Sequence, residues 1–270
     1  MTASLTGRQA ERYARHLSLQ ELGPRGQQKL LQSRVLIVGV GALGSPASLY
    51  LAAAGVGTLG LCDHDAVRLS NLQRQVLHQT ASIGQSKVEA GARALHALNP
   101  EVRIETHPYA VTAANALTLL AGYDAIVDGT DTFAARYLLS DAAYLAGKPL
   151  VHGSIFRIEG QVTDFVPGQG CYRCLYPEPP PPGLVSDSPA VGVFAPLPGI
   201  IGCIQAAETI KLLTGRGDPL IGRVLLHDSL AMTFREVRYR RDPACPLCGD
   251  RPAIRGLVDY EAFVQAAGSR

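Results

Sequence analysis

The 270-residue chain has no tryptophan, two methionines and only 6% aromatic residues, and its ten tyrosines carry no functional signal of themselves. It has no surplus of charge. Twenty-five Lys and Arg stand against 23 Asp and Glu, for a formal net charge of +2, and no dense basic run occurs. The electrostatic footprint of a nucleic-acid binder is therefore missing. Long apolar runs are missing too. Leu49 to Cys62 is the longest, but Gly55, Gly57 and Gly60 break it and it is too short to span a bilayer. The opening "MTASLTGRQAERYARHLSLQELG" lacks the apolar centre of a signal peptide. A cytoplasmic protein with no nucleic-acid or membrane partner is expected.

Several chemical motifs are also absent. There is no G-x-x-x-x-G-K-[ST], which excludes a Walker-type cradle for a γ-phosphate and tilts any nucleotide chemistry toward the α-phosphate. Ser154 and Ser188 have no G-x-S-x-G context, which argues against a hydrolase. His16, His64, His78, His152 and His227 are scattered without an H-x-x-x-H, and read as surface or internally satisfied groups. The run Pro179–Pro182 could serve an SH3-type partner, but reads better as stiffening for a loop.

What is present has a rhythm, and 47% hydrophobic residues are enough for a sizeable core. Residues 8–32 look like amphipathic helix. From Arg34, short apolar strands ("RVLIV", "TLGLCDHD", "VRIETHPY", "YDAIVDGTD", "KPLVHGS") alternate with helical stretches. Such alternation predicts an α/β fold with a parallel sheet covered on both faces. After residue 154 the rhythm changes. "SIFRIEGQVTDFVPG" alternates like an antiparallel meander, and "PEPPPPGLVSDSPAVG" reads as a loop or mobile lid. A helix over 199–213 and strands near 222–228 and 231–240 extend the same sheet. One domain over 1–270 is expected. N-terminal helices occupy 1–33, a nucleotide-binding half 34–153, a second half 154–249 and a tail 250–270.

"VLIVGVGALG" is a strand running into G-x-G-x-x-G. Gly39 permits the tight turn, Gly41 lets backbone approach phosphate, and Gly44 lets the helix lie on the strand. A bare strand–turn–helix remains possible here. Asp63, closing the second strand, stands near the spacing of an acid that holds ribose hydroxyls. NAD and ATP both carry that ribose. The following residues separate them, because Asn71, Arg74 and Lys87 suit a triphosphate, whose charge must be neutralised before another anion attacks it. Asp131, beyond the fourth strand, could hold Mg²⁺ bridging the phosphates. Singly, the cations read as solvated charge and Asp131 as a helix cap. Their joint order favours the triphosphate.

Six cysteines complete the inventory. Cys171-x-x-Cys174 and Cys245-x-x-Cys248 have the spacing of a tetrahedral four-cysteine zinc site, structural because four protein ligands leave no open position. Redox dithiols and an iron–sulfur cluster are the alternatives. Cys62 and Cys203 read as packed, unreactive thiols.

"VLIVGVGALGSPASLYLAAAGVGTLGLCDHDAVRLSNLQRQVLH", "GQSKVEA", "DGTDTFAARYLL", "GQVTDF", "CYRCLYPEPP", "GVFAPLPGIIGCIQAAETIKLL" and "CPLCG" resemble the E1-like adenylyltransferases. The closest branch is the bacterial activators of ubiquitin-like sulfur carriers for molybdopterin or thiamin. The likeness runs from about residue 8 to about residue 249. It implies a Rossmann-like ATP-binding sheet, parallel in its N-terminal half and extended by antiparallel strands, with a zinc site of four cysteines. It implies Mg²⁺-dependent adenylation of the C-terminal glycine of a carrier ending in Gly-Gly. Carried over, Gly39, Gly41 and Gly44 line the phosphate turn and Asp63 takes the ribose. Asp65, Asn71, Arg74 and Lys87 surround the phosphates, and Asp131 serves Mg²⁺. Arg15 reaches across a homodimer into the partner's ATP site.

The chain departs from many relatives at Ser188, where they carry a loop cysteine. Serine is a poor substitute without an adjacent base. The chain is therefore expected to stop at the acyl-adenylate and leave sulfur transfer to an external donor. With 22 residues after Cys248, no fused sulfurtransferase domain is expected. The missing cysteine leans toward molybdopterin, with thiamin and tRNA-thiolation carriers as alternatives. Two readings from other classes remain. An NAD-dependent oxidoreductase leaves Arg74, Lys87, Asp131 and four cysteines without roles. A binding module with a dead nucleotide site leaves the same charged set unexplained.

Overall fold

The computed structural model describes residues 5–178 and 192–260. Ser188 and Pro179–Pro182 lie outside the described residues. The expected helical stretch at the N-terminus is three helices, α1 (Gly7–Arg12), α2 (Ala14–Leu17) and α3 (Gly23–Gln32). Thr6 and Gln9 cap α1 reciprocally, side chain to backbone N–H at 3.2 and 3.0 Å. Pro24 explains the restart at α3. It lacks an N–H and its ring clashes with a preceding turn, so it is tolerated only where a helix begins.

Eight strands form one sheet in the order β3-β2-β1-β4-β5-β6-β7-β8. The first five are parallel neighbours: β1 (Arg34–Val38), β2 (Thr58–Cys62), β3 (Arg103–His107), β4 (Ala125–Asp128) and β5 (Leu150–Phe156). β6 (Glu159–Phe165), β7 (Arg223–Asp228) and β8 (Thr233–Arg238) continue antiparallel. Between them run α4 (Gly44–Ala54), α5 (Lys87–Leu98), α6 (Ala116–Ala121), α7 (Phe133–Leu145), α8 (Tyr172–Leu175) and α9 (Leu197–Thr214). No described helix is long and apolar enough to cross a membrane.

Alternation along the central strands divides the core in two. Val35, Ile37, Leu59, Leu61 and Val127 meet Leu30, Ala47, Leu51, Leu95 and Ala206 of the helices on one face. Leu36, Val38 and Ile126 meet Leu119, Leu120, Leu138 and Leu139 on the other. Each strand is buried on both sides, and so reads as a continuous apolar run. The chain leaves β1 toward β2 and β3, whereas β4 and β5 lie on β1's opposite side. Strand order therefore reverses between β1 and β4, and the crevice at their C-terminal ends is the ligand position of such sheets.

A third cluster places α9 over β6, through Val162, Leu197, Ile201 and Leu220. Two acids are buried there. Asp164 of β6 and Glu208 of α9 both accept the Leu220 N–H, at 3.0 and 2.9 Å. Burial, then the neighbouring Glu208 carboxylate, push Asp164 up to about 8, so it keeps a proton that an ordinary aspartate would have lost, while Glu208 pairs with Lys211. The unfolded aspartate titrates near about 3.9. The native chain thus binds the extra proton, and the stability it contributes is full below about pH 4 and lost as pH rises through about 8. Asp164→Asn supplies a donor that needs no titrating proton. Urea midpoints measured from about pH 4 to about pH 8 should decline less in this variant than in the wild type. An equal decline would contradict the protonated Asp164.

Candidate active site

The glycine turn follows β1 at the crevice. Gly39 has φ +88°, and a Cβ there would lie 2.5 Å from the carbonyl oxygen of Gly129, in the turn after β4. A Cβ on Gly44 would collide with the Gly39 carbonyl oxygen. Gly39 therefore needs glycine for conformation and for close approach, and Gly44 for close approach alone. A Cβ on Gly41 would meet only the Gln75 side chain, at 3.4 Å. α4 begins at Gly44 without a side-chain cap; the Ser45 N–H bonds back to Gly41 O (3.0 Å), which leaves the N–H groups of the turn before it for an anion. Two buried polar atoms close by, Ser45 Oγ and Gln75 Oε1, have no hydrogen-bond partner among the described residues.

Asp63 follows β2 directly. Its carboxylate accepts the Val40 N–H (2.9 Å) and the Asp65 N–H (2.9 Å), which locks the second strand's end onto the glycine turn. Lys87, the first residue of α5, is buried with its Nζ 2.8 Å from Asp65 Oδ2 and 3.7 Å from Asp63 Oδ2. Partial burial opposes ionisation of Asp65. The Lys87 hydrogen bond and charge outweigh it, with His64 and Arg68 adding, and the carboxyl lies below its usual range.

Asn71 and Arg74 ride on an excursion between β2 and α5. Its ends are zipped together by the Ala66–Ser86 bridge, by Val67 N–H to Gln85 O (2.9 Å) and by Lys87 N–H to Asp65 O (3.0 Å). His78 secures the excursion by donating from Nε2 to Val40 O (2.9 Å), and burial holds this ring below its ordinary titration range. Arg74 donates to Ser70 O at 3.1 Å, within the excursion. His78 thus ties the excursion to the glycine turn, and the Gln75 side chain packs beside Gly41. Neither stands out by sequence reasoning, because a glutamine and a lone histidine in an irregular stretch carry no motif.

Across the crevice, Asp131 is exposed and forms no hydrogen bond or ion pair with a described residue. Asp128, at the end of β4, is fully buried and paired with His152 Nδ1 at 2.7 Å. Burial opposes its charge, but the His152 hydrogen bond and charge, then Thr130, keep its carboxyl below the usual range. The only available signal for Asp128 is its place as the earlier acid of "DGTD". Arg15, on α2, is exposed and makes no hydrogen bond or ion pair with a described residue. Within one chain, then, Gly39, Gly44, Asp63, Asp65 and Lys87 are brought together around the turn. Asn71 and Arg74 lie on the tethered excursion, Asp131 stands across the crevice, and Arg15 is left outside.

The four knuckle cysteines converge away from β4. Cys171 and Cys245 sulfurs are 3.6 Å apart, and those of Cys174 and Cys248 3.3 Å. All four ligand atoms lie within 4.8 Å of one another. A tetrahedron with Zn–S bonds of about 2.3 Å has edges of about 3.8 Å, so the cluster fits that ion. The Cys248 N–H points at Cys245 Sγ (3.5 Å) and the Asp242 N–H at Cys174 Sγ (3.4 Å), donors suited to thiolates. Between the first two cysteines, Arg173 grips Asp141 of α7 through two hydrogen bonds of 3.0 and 2.9 Å, and Tyr260 joins them. The two halves of the chain are thus stapled together. Cys62 is buried, with its thiol pushed up to about 12 by burial and then by Asp63. Cys203 is only half-buried, and burial also raises it.

Comparison with known proteins agrees with this geometry. The ThiF family profile matches residues 13–247. The chain is 48% identical over 264 residues to the sulfur carrier protein adenylyltransferase of Thermus thermophilus, covering 96% of this chain and 97% of that one. It is 50% identical over 250 residues to the SAMP-activating enzyme E1 of Haloferax volcanii, covering 93% of each. The crystal structure of E. coli MccB with ATP superposes with a TM-score of 0.78 at 26% identity, covering 88% of this chain and 74% of that one. The family and these relatives give the oxidoreductase reading no support. The chain belongs to the ThiF family and is an E1-like adenylyltransferase.

Proposed function

We propose that the protein adenylates the C-terminal glycine of a ubiquitin-like sulfur carrier ending in Gly-Gly, with ATP and Mg²⁺, and releases pyrophosphate. The observation that carries this reading is the buried Lys87, held between Asp63 and Asp65 at the mouth of an uncapped glycine turn. The names of the Thermus and Haloferax relatives support the carrier as substrate. Service to molybdopterin synthesis is the pathway proposed, on the serine at position 188. An external protein then donates the sulfur.

In the reaction, a carboxylate oxygen of the carrier attacks the α-phosphorus. The bond from that phosphorus to the bridging oxygen breaks, and pyrophosphate leaves with the electron pair. A carboxylate is already ionised at neutral pH, so no general base is required. The barrier is one anion approaching another. Lys87, Arg74 and the partner subunit's Arg15 offset that repulsion and the charge gathering on pyrophosphate. Asp63 fixes the ribose while its backbone N–H contacts keep the turn in place. Asp131 would hold Mg²⁺, which supplies further neutralisation of the phosphates when bound. Arg15 is exposed and makes no hydrogen bond or ion pair with a described residue, which is why a homodimer belongs to the proposal.

ATP–pyrophosphate exchange tests this reading. Exchange should require both Mg²⁺ and a carrier with its last glycine intact, and exchange independent of that glycine would contradict it. Lys87→Ala and Arg74→Ala should each lower the exchange rate by about 10²–10³-fold. Losses below about threefold for both would remove the electrostatic account.

Zinc at Cys171, Cys174, Cys245 and Cys248 is proposed as structural. Metal analysis should find about one zinc per chain. Removal by chelator should lower the melting temperature and loosen the segment around Cys245 and Cys248 from that around Cys171 and Cys174. Retention of full stability without metal would contradict a structural zinc.

A further inference from the structure

Asp131 has no side-chain partner among the described residues, yet the proposed reaction needs its carboxylate in one place. Its position must therefore be set by the chain on either side. β4 ends at Asp128, and only Gly129, Thr130 and Asp131 separate it from Thr132, whose hydroxyl caps α7 by accepting the Ala135 N–H at 3.2 Å. On the other side, Asp128 Oδ1 accepts both the Thr130 N–H (2.9 Å) and the Thr130 hydroxyl (2.6 Å). Asp131 thus sits between two pinned threonines.

Asp128 is itself held by two other elements. His152 of β5, its register partner in the sheet, donates from Nδ1 to Oδ2 at 2.7 Å. Gln205 of α9 donates to the Asp128 carbonyl at 2.8 Å and to the Val151 carbonyl at 3.1 Å. Asp128, His152 and Gln205 are all essentially without solvent exposure. The Gly129 N–H is tied to Val38 O (2.8 Å), and its backbone walls the glycine turn at Gly39. Displacing the Asp128 side chain would therefore move Asp131 and the phosphate turn together. We infer that Asp128, clamped by His152 and Gln205, is the positioning residue that fixes Asp131 through Thr130 for the adenylation step. The inference rests on the adenylation reading given above.

A carboxylate suits this task better than an amide. Three donors converge on its two oxygens, and bonds to a charged acceptor are short and stiff. An amide would turn its NH₂ toward a donor or force His152 into its other tautomer.

A double-mutant cycle tests the inference. Asp128→Asn should lower kcat for ATP–pyrophosphate exchange by about 10- to 100-fold, as a misplaced group would, with the KM for carrier changed less than about twofold. In an Asp131→Asn background the same substitution should change kcat less than about twofold, because the group it positions is already gone. Equal losses in both backgrounds would overturn the inference. Thr130→Val carries the same cycle if Asp128→Asn fails to fold, and Thr130→Ser, which keeps the hydroxyl, should lose less than Thr130→Val. The cycle is repeated on the Mg²⁺-dependent part of ATP affinity, which needs no carrier, and additive losses there also overturn the positioning role. Absence of exchange in the wild-type protein with every carrier instead sinks the adenylation reading.

Discussion

Gly39 and Gly129 meet backbone to backbone where β1 and β4 end, and no side chain fits between them. The rest of the site depends on that approach. It brings the turn after β1 and the turn after β4 within reach of one ligand, at the place where strand order reverses. Gly44 repeats the constraint at the start of α4, against the Gly39 carbonyl. A methyl group at any of the three would push the α4 N-terminus away from its strand or the two turns apart.

Electrostatics are built on this frame in layers. The first is Asp63, which commits its oxygens to the N–H groups of Val40 and Asp65 and so converts a strand end into part of the turn. The second is Lys87, buried against both acids. A buried cation is tolerated only when paired, and these two carboxylates fix where the ammonium sits. The third is the far wall, where His152 and Gln205 hold Asp128. Beside the four-cysteine cluster, the Arg173–Asp141 grip then fixes the antiparallel half of the sheet to α7, whose N-terminus follows Asp131.

Much of this is legible in the sequence because it is local. Apolar pentads alternating with helical stretches give the parallel strands, and the change to period two after residue 154 marks the antiparallel extension. The glycine spacing and the paired C-x-x-C motifs show themselves because their geometry is written in a few consecutive residues. The helical stretch expected over 8–32 divides into three helices, since Pro24 and the turn before it interrupt the amphipathic spacing. The Asp128–His152 pair is not legible. Those residues are neighbours only through the register of β4 against β5, and a buried histidine is indistinguishable from a surface one in an unaligned chain. Gln205 is hidden for the same reason, in an apolar helix whose packing alone brings it to β4. Likewise His78 anchors an excursion with no periodicity to read.

The central claim is attack at the α-phosphate by the carrier's terminal carboxylate. It is tested most directly by following two labels in parallel, one on the α- and one on the γ-phosphate of ATP, with a Gly-Gly carrier and no sulfur donor. Attack at the α-phosphate should leave α-label bound to the carrier in an amine-labile linkage and all γ-label in pyrophosphate. Transfer of γ-label to the carrier, or its release as inorganic phosphate in step with turnover, would contradict it.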